Sequence, residues 1–188
     1  MRIEEDRSEG WCEVHTFVPT MRRPVRLGER YVFDRLPLTD VGYLDIMAWP
    51  YPGLTPADGA AADLSWSRWP QARPRRLHGP PSTPGLTVTE AVGPDGSVLA
   101  RVVARRREVV RRWEVLEPGG PGLAGLPRQV RAARGRDGPW TRLVRAGEPV
   151  PVPEGDFEPG RLGAALTGAL SGAPAAGPGA VTTGERGR

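Results

Sequence analysis

The stretch from Leu86 to Leu116, LTVTEAVGPDGSVLARVVARRREVVRRWEVL, constrains the fold more than any other part of this chain. Its single breaker is the turn Gly93-Pro94-Asp95-Gly96. Pro fixes φ at the second turn position, Asp tolerates the third, and Gly accepts φ > 0. Before the turn, Leu86, Val88, Glu90 and Val92 alternate with Thr87, Thr89 and Ala91. That is β-branched sequence of period two. After the turn, Val98, Ala100, Val102 and Ala104 share one face, and Leu99, Arg101, Val103 and Arg105 the other. A hairpin of residues 86–92 with 98–104 is predicted.

A helix competes for the second arm. Leu99, Val102, Val103, Arg106, Val109, Val110, Trp113 and Leu116 also fall at helical spacing, and Asp95 or Ser97 is available as its cap. The branched side chains of Val98, Val102, Val103, Val109, Val110 and Val115 favour strands. The strand reading is preferred. It divides the run into Val98–Arg105 and Val109–Leu116, with a kink at the arginine triplet, and Glu117-Pro118-Gly119-Gly120 ends it.

Gly (25) and Pro (22) make up a quarter of the 188 residues, so any core is small and drawn from part of the chain. The expected fold is mainly β (or α+β): a single small antiparallel sheet or partly closed barrel with long Pro/Gly-rich loops. Residues 1–10 read as an acidic lead-in, and 11–150 as the β-rich domain. Within it, strands are expected at Trp11–Val18, at Val25–Arg30 with Tyr31–Leu36, weakly at Tyr43–Trp49, and at Pro139–Ala146. A Pro-rich loop spans residues 50–84, with a short helix near Asp58–Trp69. Arg128–Arg136 reads as a short helix or a strand edge. Residues 151–188 read as an extended segment, a short helix at 161–170 weakened by Gly163 and Gly168, and then a disordered tail.

The central stretch resembles the repeated hairpins of the LURP-one-related and phospholipid-scramblase-like family, which are Tubby-like closed β-barrels around a central helix. The resemblance rests on Asp95-Gly96, Val98 to Val103, Arg111 to Leu116 and Pro118-Gly119, and covers about residues 84–135. It implies a closed barrel that associates with anionic lipid surfaces.

Every basic residue apart from the two histidines is Arg, Asn is absent, and Ile occurs only at Ile3 and Ile46. A GC-rich genome accounts for this bias, so the choice of Arg over Lys says little about recognition. The distribution says more. Residues 98–145 carry twelve arginines against Glu108, Glu114, Glu117 and Asp137, a net +8, in a chain whose total is +4. Arg105, Arg106, Arg107, Arg111, Arg112, Arg128, Arg131, Arg134 and Arg136 form the one cluster with a physical argument for an anionic partner. The competing reading is a solvated face balanced by Glu108, Glu114 and the acidic N-terminal half.

Trp49, Trp66, Trp69, Trp113 and Trp140 are the candidate aromatic surface. Trp49, Trp66 and Trp69 are expected to fold over the sheet as a lid, and Trp113 or Trp140 to stack on bases. Cys12 is the only cysteine, and it sits three residues from His15 on an expected strand, where side chains at that spacing point apart. No catalytic or metal-ligating residue is assigned and no cofactor is expected. No stretch has the apolar length of a membrane span, and the N-terminus lacks the apolar core of a signal peptide. The expectation is a cytoplasmic, non-catalytic accessory or interaction protein whose partner, another protein first of all, meets the sheet or its aromatic loop. Nucleic acid and an anionic lipid surface are the alternative partners, and an enzyme of unknown class is the last alternative.

Overall fold

The computed structural model describes residues 2–6, 11–18, 21, 23–36, 39–46, 51–119 and 126–145, with Pro153, Gly155, Glu158 and Arg161. Ten strands order as β1 (Arg2–Asp6), β2 (Trp11–Val18), β3 (Arg23–Arg26), β4 (Thr55–Pro56), β5 (Arg73–His78), β6 (Leu86–Val92), β7 (Val98–Arg105), β8 (Glu108–Glu117), β9 (Gln129–Arg134) and β10 (Trp140–Val144). The central stretch is strand throughout. It supplies β6, β7 and β8, and the kink at the arginine triplet is the β7–β8 turn.

The predicted turn forms as read. Gly96 N–H donates to Gly93 O at 3.0 Å, Gly96 takes φ +82°, and Gly93 N–H donates to Ser97 O at 2.9 Å. Asp95 Oδ1 accepts from Ser97 N–H at 3.1 Å and from the Ser97 hydroxyl at 2.7 Å. These bonds hold the Asp95 carboxyl below its ordinary range.

The fold is mainly β. The seven strands β10-β9-β8-β7-β6-β5-β4 pair in that order into one antiparallel sheet, and β1-β2-β3 form a second, three-stranded sheet. The large sheet is open and does not close into a barrel. Register places Arg75, Glu90, Arg101, Trp113, Ala132 and Thr141 in one row across six strands on one face, here called the inner face. Leu77, Val88, Val103 and Arg111 form the next row.

Residues 29–36 and 39–46 lie over this face. Val32, Phe33 and Leu44 join Val14, Leu77, Leu86, Val88 and Val103 in one apolar cluster, and Phe33 meets Tyr51 edge-on at 5.6 Å. Val41, Val98, Trp113, Val115, Val130 and Ala132 form a second cluster. The opposite, outer face is crossed by residues 57–69. Ala62 N–H donates to Thr89 Oγ1 at 3.0 Å, and Arg68 N–H to Glu114 Oε2 at 3.0 Å.

Several local expectations change. Arg2–Asp6, read as a solvated lead-in, pairs with β2 as a strand. The 50–84 segment holds β4 and β5; Pro74 does not stop β5 because the strand is short and its apolar Leu77 packs in the core. Tyr31–Leu36 and Tyr43–Trp49 were expected as strands. Instead Glu29–Phe33 and Leu44–Ile46 are single 3-10 turns, which place Phe33 and Leu44 over the sheet. Residues 58–69 form bends, not a helix. Within Arg128–Arg136, Gln129–Arg134 is β9, an internal strand between β8 and β10. The tail, residues 162–170 of the helix expected at 161–170 and Trp49 lie outside the described residues. Among the described residues no helix is long and apolar enough to cross a membrane.

Candidate binding surface

The nine candidate arginines do not form one surface. Alternation along β7, β8 and β9 sends them to both faces of the sheet and to its turns, and each location gives the guanidinium a different fate.

The inner-face arginines are taken up by acidic residues of the covering segment. Arg111 is buried. Its Nε lies 2.8 Å from Asp45 Oδ2, and NH1 donates to Phe33 O at 2.8 Å. Beside it Arg101, also buried, pairs with Glu90 at 2.9 Å, lies 3.6 Å from Asp45 Oδ1, and donates to Leu44 O at 2.7 Å. Asp45 in turn accepts from Gly42 N–H at 2.8 Å. A Cβ on Gly42 would strike the Arg111 guanidinium, so the loop approaches this closely only because residue 42 has no side chain. Burial draws the Arg111 pKa down, and Asp45 opposes that shift.

Towards the solvent, Arg105 pairs with Asp34 at 3.3 Å and Arg134 with Asp40 at 3.4 Å. Asp40 also accepts from the Thr141 hydroxyl at 3.2 Å. Arg101 and Arg111 were therefore absorbed by a constellation no motif announced. The available signal was their place on an apolar face of a strand, where a charge needs a buried partner. The partners, Asp45 and Glu90, were invisible without the fold.

On the outer face, Arg131 pairs with buried Glu114, and Arg128 lies 3.8 Å from Glu117. The Arg112 guanidinium stacks 5.1 Å from the Trp66 ring and makes no ion pair among the described residues.

The turns collect the rest. In the antiparallel register, the β5–β6, β7–β8 and β9–β10 turns all fall at one end of the large sheet. Arg106 and Arg107 form the two-residue β7–β8 turn, with φ +48° and +75°. Positive φ at both positions is the geometry that Asn-Gly suits, and L-residues with a Cβ are disfavoured there. Both arginines are exposed, without an ion pair or side-chain hydrogen bond among the described residues. Arg136, in the β9–β10 turn, is exposed at the same end. Its charge, after the hydrogen bonds from Ser65, helps hold the Asp63 carboxyl below its usual range. Glu108 and Asp137 are the exposed acids of this end.

Two hollows open beside the β7–β8 turn. One, of about 430 Å³, is lined by Phe33, Asp34, Arg35, Leu36, Arg105, Val110 and Arg111. The other, of about 370 Å³, is lined by Arg30, Tyr31, Asp34, Ser82, Thr83, Pro84 and Arg105. The Asp34–Arg105 pair belongs to both. Tyr31 is one of the two large apolar side chains exposed among the described residues, with Arg30 stacked 4.4 Å from its ring.

The tryptophans divide as the arginines do. Trp113, a candidate surface ring, is 1% exposed in the second apolar cluster, with Arg101 stacked 5.3 Å from its ring. A six-strand row buries it, so it cannot stack on a partner. Trp69 folds back as a lid and donates Nε1–H to Val115 O at 2.8 Å. Trp66 and Trp140 are half-buried and share a hollow on the outer face with Arg112 and Arg131. Trp66 and Trp140 are thus the candidate rings that meet candidate arginines at a common opening.

Cys12 lies on β2 opposite Glu5 in register, and His15 Nε2 is 3.2 Å from Glu13 Oε2. No group of three or more His, Cys, Asp or Glu side chains among the described residues is arranged to hold a metal ion.

By fold, the chain is an antiparallel β protein with an open seven-stranded sheet whose two faces are both covered. No protein-family model, curated protein or solved structure matches it.

Proposed function

We propose that this chain is a non-catalytic binding protein for an anionic macromolecule, and that the contact is made by the turn end of the large sheet. The chain itself covers much of both sheet faces, which leaves the turns, the edges and the outer-face hollow beside Trp140 for a partner. One observation carries the reading: consecutive arginines, Arg106 and Arg107, occupy two left-handed positions and make no ion pair among the described residues. Each such position costs an L-residue roughly 1–2 kcal/mol, which the closing of the β7–β8 hairpin offsets. Strained backbone clusters at binding sites, and an exposed cationic tip suits an anionic ligand. The adjoining hollows, with Arg30, Arg35 and Arg105, extend the same basic rim.

Three polyanions test the reading: a short single-stranded oligothymidylate, phosphatidylserine vesicles and poly-glutamate, each titrated at low and at physiological salt. Binding to at least one is expected, weakening steeply with salt. Arg106→Asn/Arg107→Gly is expected to weaken it about tenfold while the protein becomes more stable. Absence of binding to all three at low salt overturns the proposal, as does unchanged affinity in the double variant.

A further inference from the structure

The outer-face hollow is small and built from named parts. It measures about 110 Å³ and is lined by Trp66, Arg112, Arg131, Ala133, Gly138 and Trp140. That is the space of about four liquid waters, enough for one planar ring. Its shape follows from register. Arg112, Ala133 and Trp140 stand in one row across β8, β9 and β10, and the small Ala133 lowers the floor between two large neighbours. Gly138 closes one side, where a Cβ would strike the Arg134 carbonyl oxygen. Trp66 is held in place by its Nε1–H, which donates to Asp63 O at 3.1 Å.

The decisive group is Arg112. Its guanidinium stacks on Trp66 but has no carboxylate partner among the described residues, and its Nε is buried without an acceptor. Arg131, the other arginine of the hollow, is already paired with Glu114. An acceptor brought by a ligand into the hollow meets the guanidinium that lines it. The walls specify what carries it. Indole and guanidinium planes favour a flat π-system, and a ring with a carbonyl oxygen on its edge satisfies both the walls and Arg112.

We propose that this hollow takes one base of a single-stranded nucleic acid, which names the partner class of the binding reading above and rests on it. Arg136, two residues before Gly138 in the β9–β10 turn, and Arg142, on the same strand face as Trp140, meet the phosphates on either side of that base. An acyl chain finds little here, because the exposed large apolar side chains among the described residues, Met21 and Tyr31, are not part of this hollow. An acidic peptide satisfies Arg112 and leaves both indoles unused.

The test compares oligothymidylate with an abasic oligonucleotide of the same length, by tryptophan fluorescence and by gel shift. Wild-type protein is expected to bind the base-bearing strand about tenfold more tightly, in line with the loss per stacked base on removing an aromatic side chain. Trp140→Ala is expected to abolish that preference and leave abasic binding unchanged. Trp140→Phe is expected to retain most of it. Trp140→Leu, which keeps apolar bulk, is expected to fold like wild type by circular dichroism and to lose the preference. Equal affinity of wild-type protein for the two strands overturns the base site, as does a preference that survives in Trp140→Leu. The failures are separable. Loss of binding to both strands in Arg106→Asn/Arg107→Gly with no base preference in wild type leaves the turn-end reading standing and removes the base site alone.

Discussion

Arg101 and Arg111 lie on the same hairpin as Arg106 and Arg107, within a few residues, and share their chemistry. The first two point into the molecule. There Asp45, Glu90 and the carbonyls of Phe33 and Leu44 surround them. The second two stand at the tip, in backbone conformations that arginine does not favour, with no such company. A run of arginines on a strand is therefore not one basic patch. Pleating sends alternate members inward, where a guanidinium must find a carboxylate or be expelled, and the turn and the outer-face Arg112 keep their charge for the outside. The interior pairs add little net stability, because removing two charges from water offsets most of their attraction. They tie the covering segment to the inner face at Asp45, Phe33 and Leu44.

Removal of Asp45 breaks this division most severely. Asp45→Ala leaves Arg101 and Arg111 buried with one carboxylate fewer, and a loss of about 3–5 kcal/mol is expected in denaturant unfolding. A cost no greater than that of an exposed pair would mean that the interior and tip arginines do not differ in the way described.

Gly42→Ala probes the same site through shape. The added methyl meets the Arg111 guanidinium, and the loop or the arginine must move. A destabilisation of about 1–3 kcal/mol is expected in thermal melts, with the tip unaffected.

At the tip the sign reverses. Arg106→Asn/Arg107→Gly relieves two left-handed arginines and is expected to stabilise the protein by about 1–2 kcal/mol. A neutral or destabilising result in chemical denaturation would place a stabilising contact at the tip.

Asp34→Ala completes the scale. It removes the partner of Arg105 from a pair whose members are each about half exposed, 50% and 48%. A change of about 0.2–1 kcal/mol is expected, and it should shrink further as salt is raised. Asp45→Ala should keep most of its cost under the same salt, because its partners are screened by protein and not by ions.

Much of the fold was legible. The β6–β7–β8 meander was readable because the alternation of Leu86, Val88 and Val92 reports burial directly, and Gly93-Pro94-Asp95-Gly96 admits few backbone paths. β5 was hidden because Arg73-Pro74-Arg75-Arg76 carries every sign of a loop. Its strand exists because β6 offers an edge and Leu77 a place in the core. The 3-10 turns at Glu29–Phe33 and Leu44–Ile46 were mistaken for strands because apolar residues there pack downward from a covering segment instead of alternating. Of the candidate surface, Arg106, Arg107, Arg136, Arg112 and the outer-face rings Trp66 and Trp140 remain available to a partner. Arg111 and Trp113 do not, and no local signal separates Arg111 from Arg112.

The sequence by itself determined the β6–β7–β8 meander and its two turns, because hydrophobic alternation and glycine placement act over a few residues. Only the tertiary structure decided which arginines are spent inside the molecule. That choice depends on carboxylates such as Asp45, delivered from sixty-six residues away in sequence by a loop whose position the arginines themselves stabilise. Electrostatic pairing in the interior is a property of distance in space, which strand register and the covering segment must first create.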